Sequence, residues 1–423
     1  MDMSSNRKLS RVRSSSDFRL DRTALAILLL LIPFFEPLCF SYLKEVAGFE
    51  MVGGFFDLFF MGYRICSVFI ILILFSTKVR FNLALGMIAL MGFFSCLSVV
   101  VMNNSGTVKA LYEAAAFLAL GLFLFYEWRE RPDELVTACT ILFTAFSILS
   151  LASVWLTGAR GIASAQANSQ AAKDAIFFFG GKNSVFIYNL PTILFLCFYE
   201  YRKKGLIGFA PAIVTLLFCV ASIQIDSASS TFFFFLVFAF CVAAHFAKKG
   251  TIVKAISQPI FLLVVFAFVF VFIVMMGGRI AIVSSLLELF GRSPTFSGRT
   301  GIWQQALSDI NISPFLGGGG ALTFTIGSTT TPHAHSFYLN AFAQYGIFYF
   351  AVLVLDLVLV CVVARRNNSK KRNCILVNLS VFLFYMLVIH SVFDFLSLPL
   401  YFLLRSCVLD GMSFFEIAEK RKA

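Results

Sequence analysis

Charge is scarce in this chain: Asp, Glu, Lys and Arg make up only 13% of its 423 residues, against 59% apolar. A soluble core of that length cannot hide so much apolar surface, and a mean hydropathy of +0.88 excludes an ordinary soluble globule. Histidine occurs four times and tryptophan three times, so each deserves an individual reading. The ten cysteines sit almost entirely within or beside apolar runs, which argues against a disulfide framework or a cysteine metal site. A phosphate loop is also missing. It would require GK[ST], whereas Gly319-Gly320 is followed by Ala321 and Gly181-Lys182 by Asn183.

What remains is long apolar segments. Crossing ~30 Å of hydrocarbon takes about 20 apolar residues as a helix. Twelve such runs are expected, near 23–43, 56–76, 81–102, 108–127, 135–157, 184–201, 206–223, 231–247, 257–276, 337–363, 375–392 and 398–416. With the N-terminus inside, 24 of the 34 Lys and Arg residues fall in cytoplasmic segments and eight in outer loops, while Arg64 and Arg405 fall inside spans. The net charge of +12 therefore reflects topology, and no nucleic-acid partner is expected. The leader MDMSSNRKLSRVRSSSDFRL is basic without an apolar core of its own, which fits a cytoplasmic tail followed by a retained first span. The 54 phenylalanines are expected mainly on lipid-facing surface.

Two outer segments exceed what a connection needs: 157–182 and, longer, 277–336. The second has helical spacing over 280–290 and 300–310, the latter with Trp303, Leu307 and Ile310 on one face. Ser297 suits an N-cap, which would put Arg299 in the first turn. A helix N-terminus together with a guanidinium makes a phosphate site. Arg160, Lys173, Lys182, Arg279, Arg292 and Arg299 all lie on the outer side, where basic residues are disfavoured; each also fits an ordinary surface charge or headgroup contact. The glycines Gly317 to Gly320 suit a turn, or a close approach to a ligand or neighbouring helix. No outer loop carries D-x-D to hold a divalent cation, so neither a metal nor a cofactor is expected there.

The strings SGRTGIWQQAL, SPFLGGGG and PHAHSFYLNAFAQYG, in that order on one outer loop, resemble the O-antigen ligase and polysaccharide polymerase superfamily. The family histidine precedes a small polar residue, nine further residues and a glycine; His335-Ser336 and Gly346 have that spacing, and His333 does not. Two departures stand out. SASST (Ser227 to Thr231) puts Ser230 where members carry a basic residue, and Arg160 precedes FFFGGKN only loosely.

The resemblance implies an all-α polytopic protein with a GT-C-like glycosyltransferase fold. It would have a tail (1–22), spans one to nine (23–276), a periplasmic catalytic loop (277–336), spans ten to twelve (337–416) and a second cytoplasmic tail (417–423). It implies an enzyme of the bacterial inner membrane that transfers a polyprenyl-diphosphate-linked glycan to a glycan or lipid-core acceptor among membrane lipids. Polymerisation of repeat units is favoured over ligation to a lipid core, and a chain-length regulator is a further partner it allows. His335 is the expected general base and Arg299 the expected diphosphate ligand, with Arg160 and Lys182 as further diphosphate contacts. His333 and Trp303 would line the substrate pocket.

A charge in the hydrocarbon costs ~2.5–3.5 kcal/mol even on the lenient insertion scale, so it is either paired or functional. Glu36, Arg64 and Arg405 match in expected depth and are expected to cluster in the outer half, as a structural group or at the substrate pocket. Asp356 has no evident partner in the sequence. His390 and Asp394 are one helical turn apart, and His245 is expected at the cytoplasmic interface. A transporter using the long loop as a lid is the alternative from another class; the midplane sites and matching halves it calls for are not evident.

Overall fold

The computed structural model describes residues 21–44, 48–79, 81–102, 105–164, 175–182, 184–204, 207–246, 264, 267, 299–326, 329–331, 333–370, 379–384, 387 and 397–411. Lys173, Arg279, Arg292, Ser297, His390, Asp394, both tails and most of the ninth expected span lie outside them. The described chain is an all-α polytopic membrane protein with two short β-ribbons. Its elements are α1 (Arg22–Leu31), α2 (Leu38–Leu43), α3 (Glu50–Phe75), α4 (Leu83–Val101), α5 (Thr107–Glu130), α6 (Pro132–Trp155), β1 (Ala163–Ser164), β2 (Ala175–Ile176), α7 (Ser184–Lys204), α8 (Ala210–Gln224), α9 (Ala228–Phe246), α10 (Arg299–Ile312), β3 (Phe324–Ile326), β4 (Thr329–Thr331), α11 (Phe337–Lys370) and α12 (Ser397–Leu409). Among the described residues six helices are long and apolar enough to cross a membrane: α3, α4, α5, α6, α9 and α11.

Short connections make α4–α5 and α8–α9 packed antiparallel hairpins, and α6 packs on α7 across the longer segment 156–183. Their turns therefore fall at one end of the bundle. That end also receives α10 and its following loop, because Ser98, near the end of α4, donates its hydroxyl to the Leu316 carbonyl. It is called the loop end below. The first expected span is broken: α1 gives way to a 3-10 turn at Ile32–Phe34, and Pro33 and Pro37 separate it from α2.

Phenylalanine does more than face lipid. Phe123, Phe143, Phe186, Phe195 and Phe198 are fully buried between helices, while Phe55, Phe69 and Phe235 are exposed. Where lipid removes the hydrophobic drive for helix association, dispersion and ring stacking must hold the helices together. Phe143 and Phe195, nearly parallel at 6.0 Å, join α6 to α7 in this way. Trp128 of α5 adds a hydrogen bond to Ser406 Oγ of α12 at 2.9 Å.

The intramembrane charges pair differently from the expected cluster. Arg64 holds Glu36 at 3.0 Å and donates Nε–H to the Pro33 carbonyl at 2.7 Å. Arg405 instead chelates Asp356, with Nε at 2.7 and 2.9 Å from its two oxygens, and donates to the Ala84 carbonyl at 2.9 Å. Tyr401 O–H donates a further hydrogen bond to Asp356 at 2.8 Å. Depth does not decide adjacency: α12 packs on α5, α11 and α7, whereas the α3 of Arg64 packs on α2 and α5. Ala84 opens α4, so Arg405 sits towards the end opposite the loops. His245, near the end of α9, has its Nδ1 2.7 Å from the Ile207 carbonyl and its ring 3.9 Å from Phe209.

Candidate active site at a broken helix

Helix α10 buries Ile302, Trp303, Ala306 and Ile310, one face of an amphipathic turn pattern, against Phe324 of β3 and Ala334, Leu339 and Ala343. Ser313 and Pro314 end it. This packing does more than seat a helix, because Trp303 also reaches the His333–His335 segment. Its indole N–H donates to the Ala334 carbonyl at 3.0 Å, while the Ala334 N–H donates to Asn340 Oδ1 at 2.9 Å. Ala334 is fully buried. The residue between the two histidines is thus held on both of its peptide faces.

His335 follows with φ +50°, a left-handed conformation costly for a residue with a Cβ. It stays half-exposed. The Ser336 carbonyl then accepts from the Asn340 N–H at 2.8 Å, and α11 begins at Phe337. His333 is also half-buried, with its N–H on Thr331 Oγ1 at 3.3 Å. Arg299 is the first residue of α10, one turn before Trp303, at the end where helical N–H groups lack intrahelical partners. Its side chain lies outside the described atoms.

Nine residues separate Ser336 from Gly346, where α11 breaks. Gly346 has φ +78° and ψ −176° inside an otherwise helical run. The carbonyls of Ala343 and Gln344, freed by the break, accept from Gly318 N–H at 2.9 Å and Gly320 N–H at 3.3 Å, and Ile347 N–H donates to the Pro314 carbonyl at 2.8 Å. Open backbone groups are not tolerated at membrane depth, and the glycine loop closes them. Gly317, Gly319 and Gly320 all take positive φ to do so. A Cβ on Gly346 would strike the Phe315 carbonyl, and one on Gly317 the backbone of Ala343 to Tyr345. Of the sequence readings for the four glycines, both the turn and the close approach to a neighbouring helix are observed. Gln344 then clamps the loop exit with both amide atoms, to Leu322 N at 3.1 Å and Leu322 O at 2.9 Å.

Arg160, exposed, and Lys182, half-buried, flank the β1–β2 ribbon at the loop end. Glu36, Arg64 and Arg405 belong to the buried pairs above and not to the His335 unit. Asn340 and Gln344 were missed in the sequence, although two amides spaced i and i+4 in an apolar run were the available signal. Between Arg299 and Gly346 the only acidic residue is Asp309, whose carboxyl burial pushes above the ordinary carboxylate range.

Comparison with curated proteins and with solved structures yields no significant match. Residues 210–354 match the model of a family described as O-antigen ligase, a segment that runs from α8 through α10 and the glycine loop into α11. It holds Arg299, Trp303, His333, His335 and Gly346, and leaves out Arg160, Lys182, Glu36, Arg64 and Arg405. This match, over residues 210–354, supports the resemblance to the O-antigen ligase and polysaccharide polymerase superfamily.

Proposed function

We propose that the chain is a glycosyltransferase of the bacterial inner membrane that moves a polyprenyl-diphosphate-linked glycan onto an acceptor hydroxyl at the loop end, which faces the periplasm. The observation that carries this reading is His335, held in a left-handed turn by the Trp303–Ala334–Asn340 clamp at the mouth of α11, inside the segment that matches the family.

The imidazole takes the proton of the acceptor hydroxyl as its oxygen bonds to the sugar C1. The bond from C1 to the diphosphate oxygen breaks, and its electron pair leaves with the diphosphate. Arg299 and the first N–H groups of α10 stabilise that departing charge. The broken helix favours this reading over transport. In transporters the freed ends of a discontinuous helix face the cargo, whereas here Pro314, Gly318 and Gly320 occupy them.

Polymerisation of repeat units is the preferred form of the reaction, and ligation to a lipid core is the second. Deleting the gene and separating the lipopolysaccharide on a gel tests both. Core capped by a single repeat indicates a polymerase, and undelivered lipid-linked polymer indicates a ligase. An unchanged pattern, with secreted polysaccharide also unchanged, contradicts the proposal.

A further inference from the structure

The α8–α9 turn builds a second feature at the loop end, mostly apolar with a few polar groups, that shares no residue with the His335 unit. A recess of about 470 Å³ opens there, lined by Ser222, Ile223, Asp226, Ser227, Thr231, Phe232 and Phe235 among others. Its wall is constructed. Asp226 takes φ +52°, Ser227 N–H donates to the Ser222 carbonyl at 2.9 Å, and Thr231 Oγ1 donates to the Ser227 carbonyl at 2.9 Å as α9 begins. Ser227 and Ser230 satisfy one another at 2.9 Å. Ser222 is different: it is fully buried, and its hydroxyl has no hydrogen-bond partner among the described residues. A buried hydroxyl left so is costly unless a ligand completes it.

The lining identifies the ligand class. Among the described residues no Lys or Arg lines the recess, and the Asp226 carboxylate is exposed at the rim. An anion would meet that carboxylate with nothing to neutralise it. A sugar ring suits it better, because a carboxylate accepts hydroxyl hydrogens, a serine hydroxyl both donates and accepts, and the exposed faces of Phe232 and Phe235 cover the C–H side of a ring. We infer that this recess is a carbohydrate subsite that holds an uncharged sugar ring of the glycan, away from the diphosphate. The assignment of that ring to the transferred glycan rests on the function proposed above; the subsite itself does not.

The test uses the full-length protein in phosphatidylcholine nanodiscs and saturation-transfer NMR with methyl glycosides of glucose, galactose, mannose, rhamnose and N-acetylglucosamine. At least one glycoside should receive saturation from both wild type and His335→Ala. Binding should weaken about tenfold in Asp226→Gly and in Ser222→Ala, the loss of one good hydrogen bond. Both variants should stay folded, since glycine accepts the left-handed backbone and alanine removes the unpartnered hydroxyl. Inorganic diphosphate should not displace the sugar. The subsite is overturned if no glycoside binds above protein-free nanodiscs, if both variants bind like wild type, or if diphosphate competes. A His335→Ala protein that binds glycoside and still transfers glycan would contradict the proposed base and leave the subsite standing.

Discussion

The His333–His335 segment is held by residues outside it. His335 was legible in the sequence from its spacing to Gly346, but its left-handed backbone was not, because that conformation is imposed by Trp303, 32 residues earlier, and by Asn340, five residues later. Arg299 was legible as the start of a helix. If it grips a diphosphate through two N–H groups, Arg299→Lys should lose most glycan transfer, since an ammonium offers only a point charge. Polymer output at the wild-type level in the Lys variant would reduce Arg299 to general electrostatics. Asp356 had no account in the sequence because its partner, Arg405, lies 49 residues away on another helix.

The elements were legible as apolar runs and their breaks were not. A glycine inside a membrane run gives no sign of whether the helix continues; at Gly346 it does not, and the reason is the backbone of Pro314 to Gly320. This makes a sharp prediction, because position 346 needs both positive φ and the absence of a Cβ. Gly346→Ala should sharply lower the amount of folded protein in the membrane. Gly62→Ala is the contrast, since a Cβ there meets nothing within 4 Å and alanine favours the helix by ~0.5–1 kcal/mol. Equal accumulation of both variants, read by fluorescence size-exclusion chromatography, would mean that the glycine loop does not fix the break.

At the scale of the molecule, two buried ion pairs among the described residues tie together parts of the chain far apart in sequence. For Asp356–Arg405, removing one partner leaves a buried charge uncompensated, at a cost of about 3–5 kcal/mol, while replacing both with apolar residues can be neutral. Asp356→Leu and Arg405→Met should each lower the melting temperature in detergent, and the double variant should recover most of the loss. A double variant no better than either single one would show that the pair is not the unit described. Orientation is a separate matter. Thr330, exposed on β4, should as Thr330→Cys react with a membrane-impermeant thiol reagent in cells permeabilised only at the outer membrane; reaction only after inner-membrane lysis would reverse the topology and move the site to the cytoplasm.

The account turns on the division of labour between two imidazoles that share a pinned neighbour. His335 carries the left-handed turn at the mouth of α11, and His333 sits outside it beside Thr331. Loss of a general base costs ~10²–10⁴-fold in rate, far more than loss of a positioning contact. The direct measurement is the rate of glycan transfer from the lipid-linked donor by purified wild type, His335→Ala and His333→Ala at matched amounts of folded protein. The account predicts a loss of that size for His335→Ala and measurable residual activity for His333→Ala; a His335→Ala protein within a few fold of wild type would contradict it.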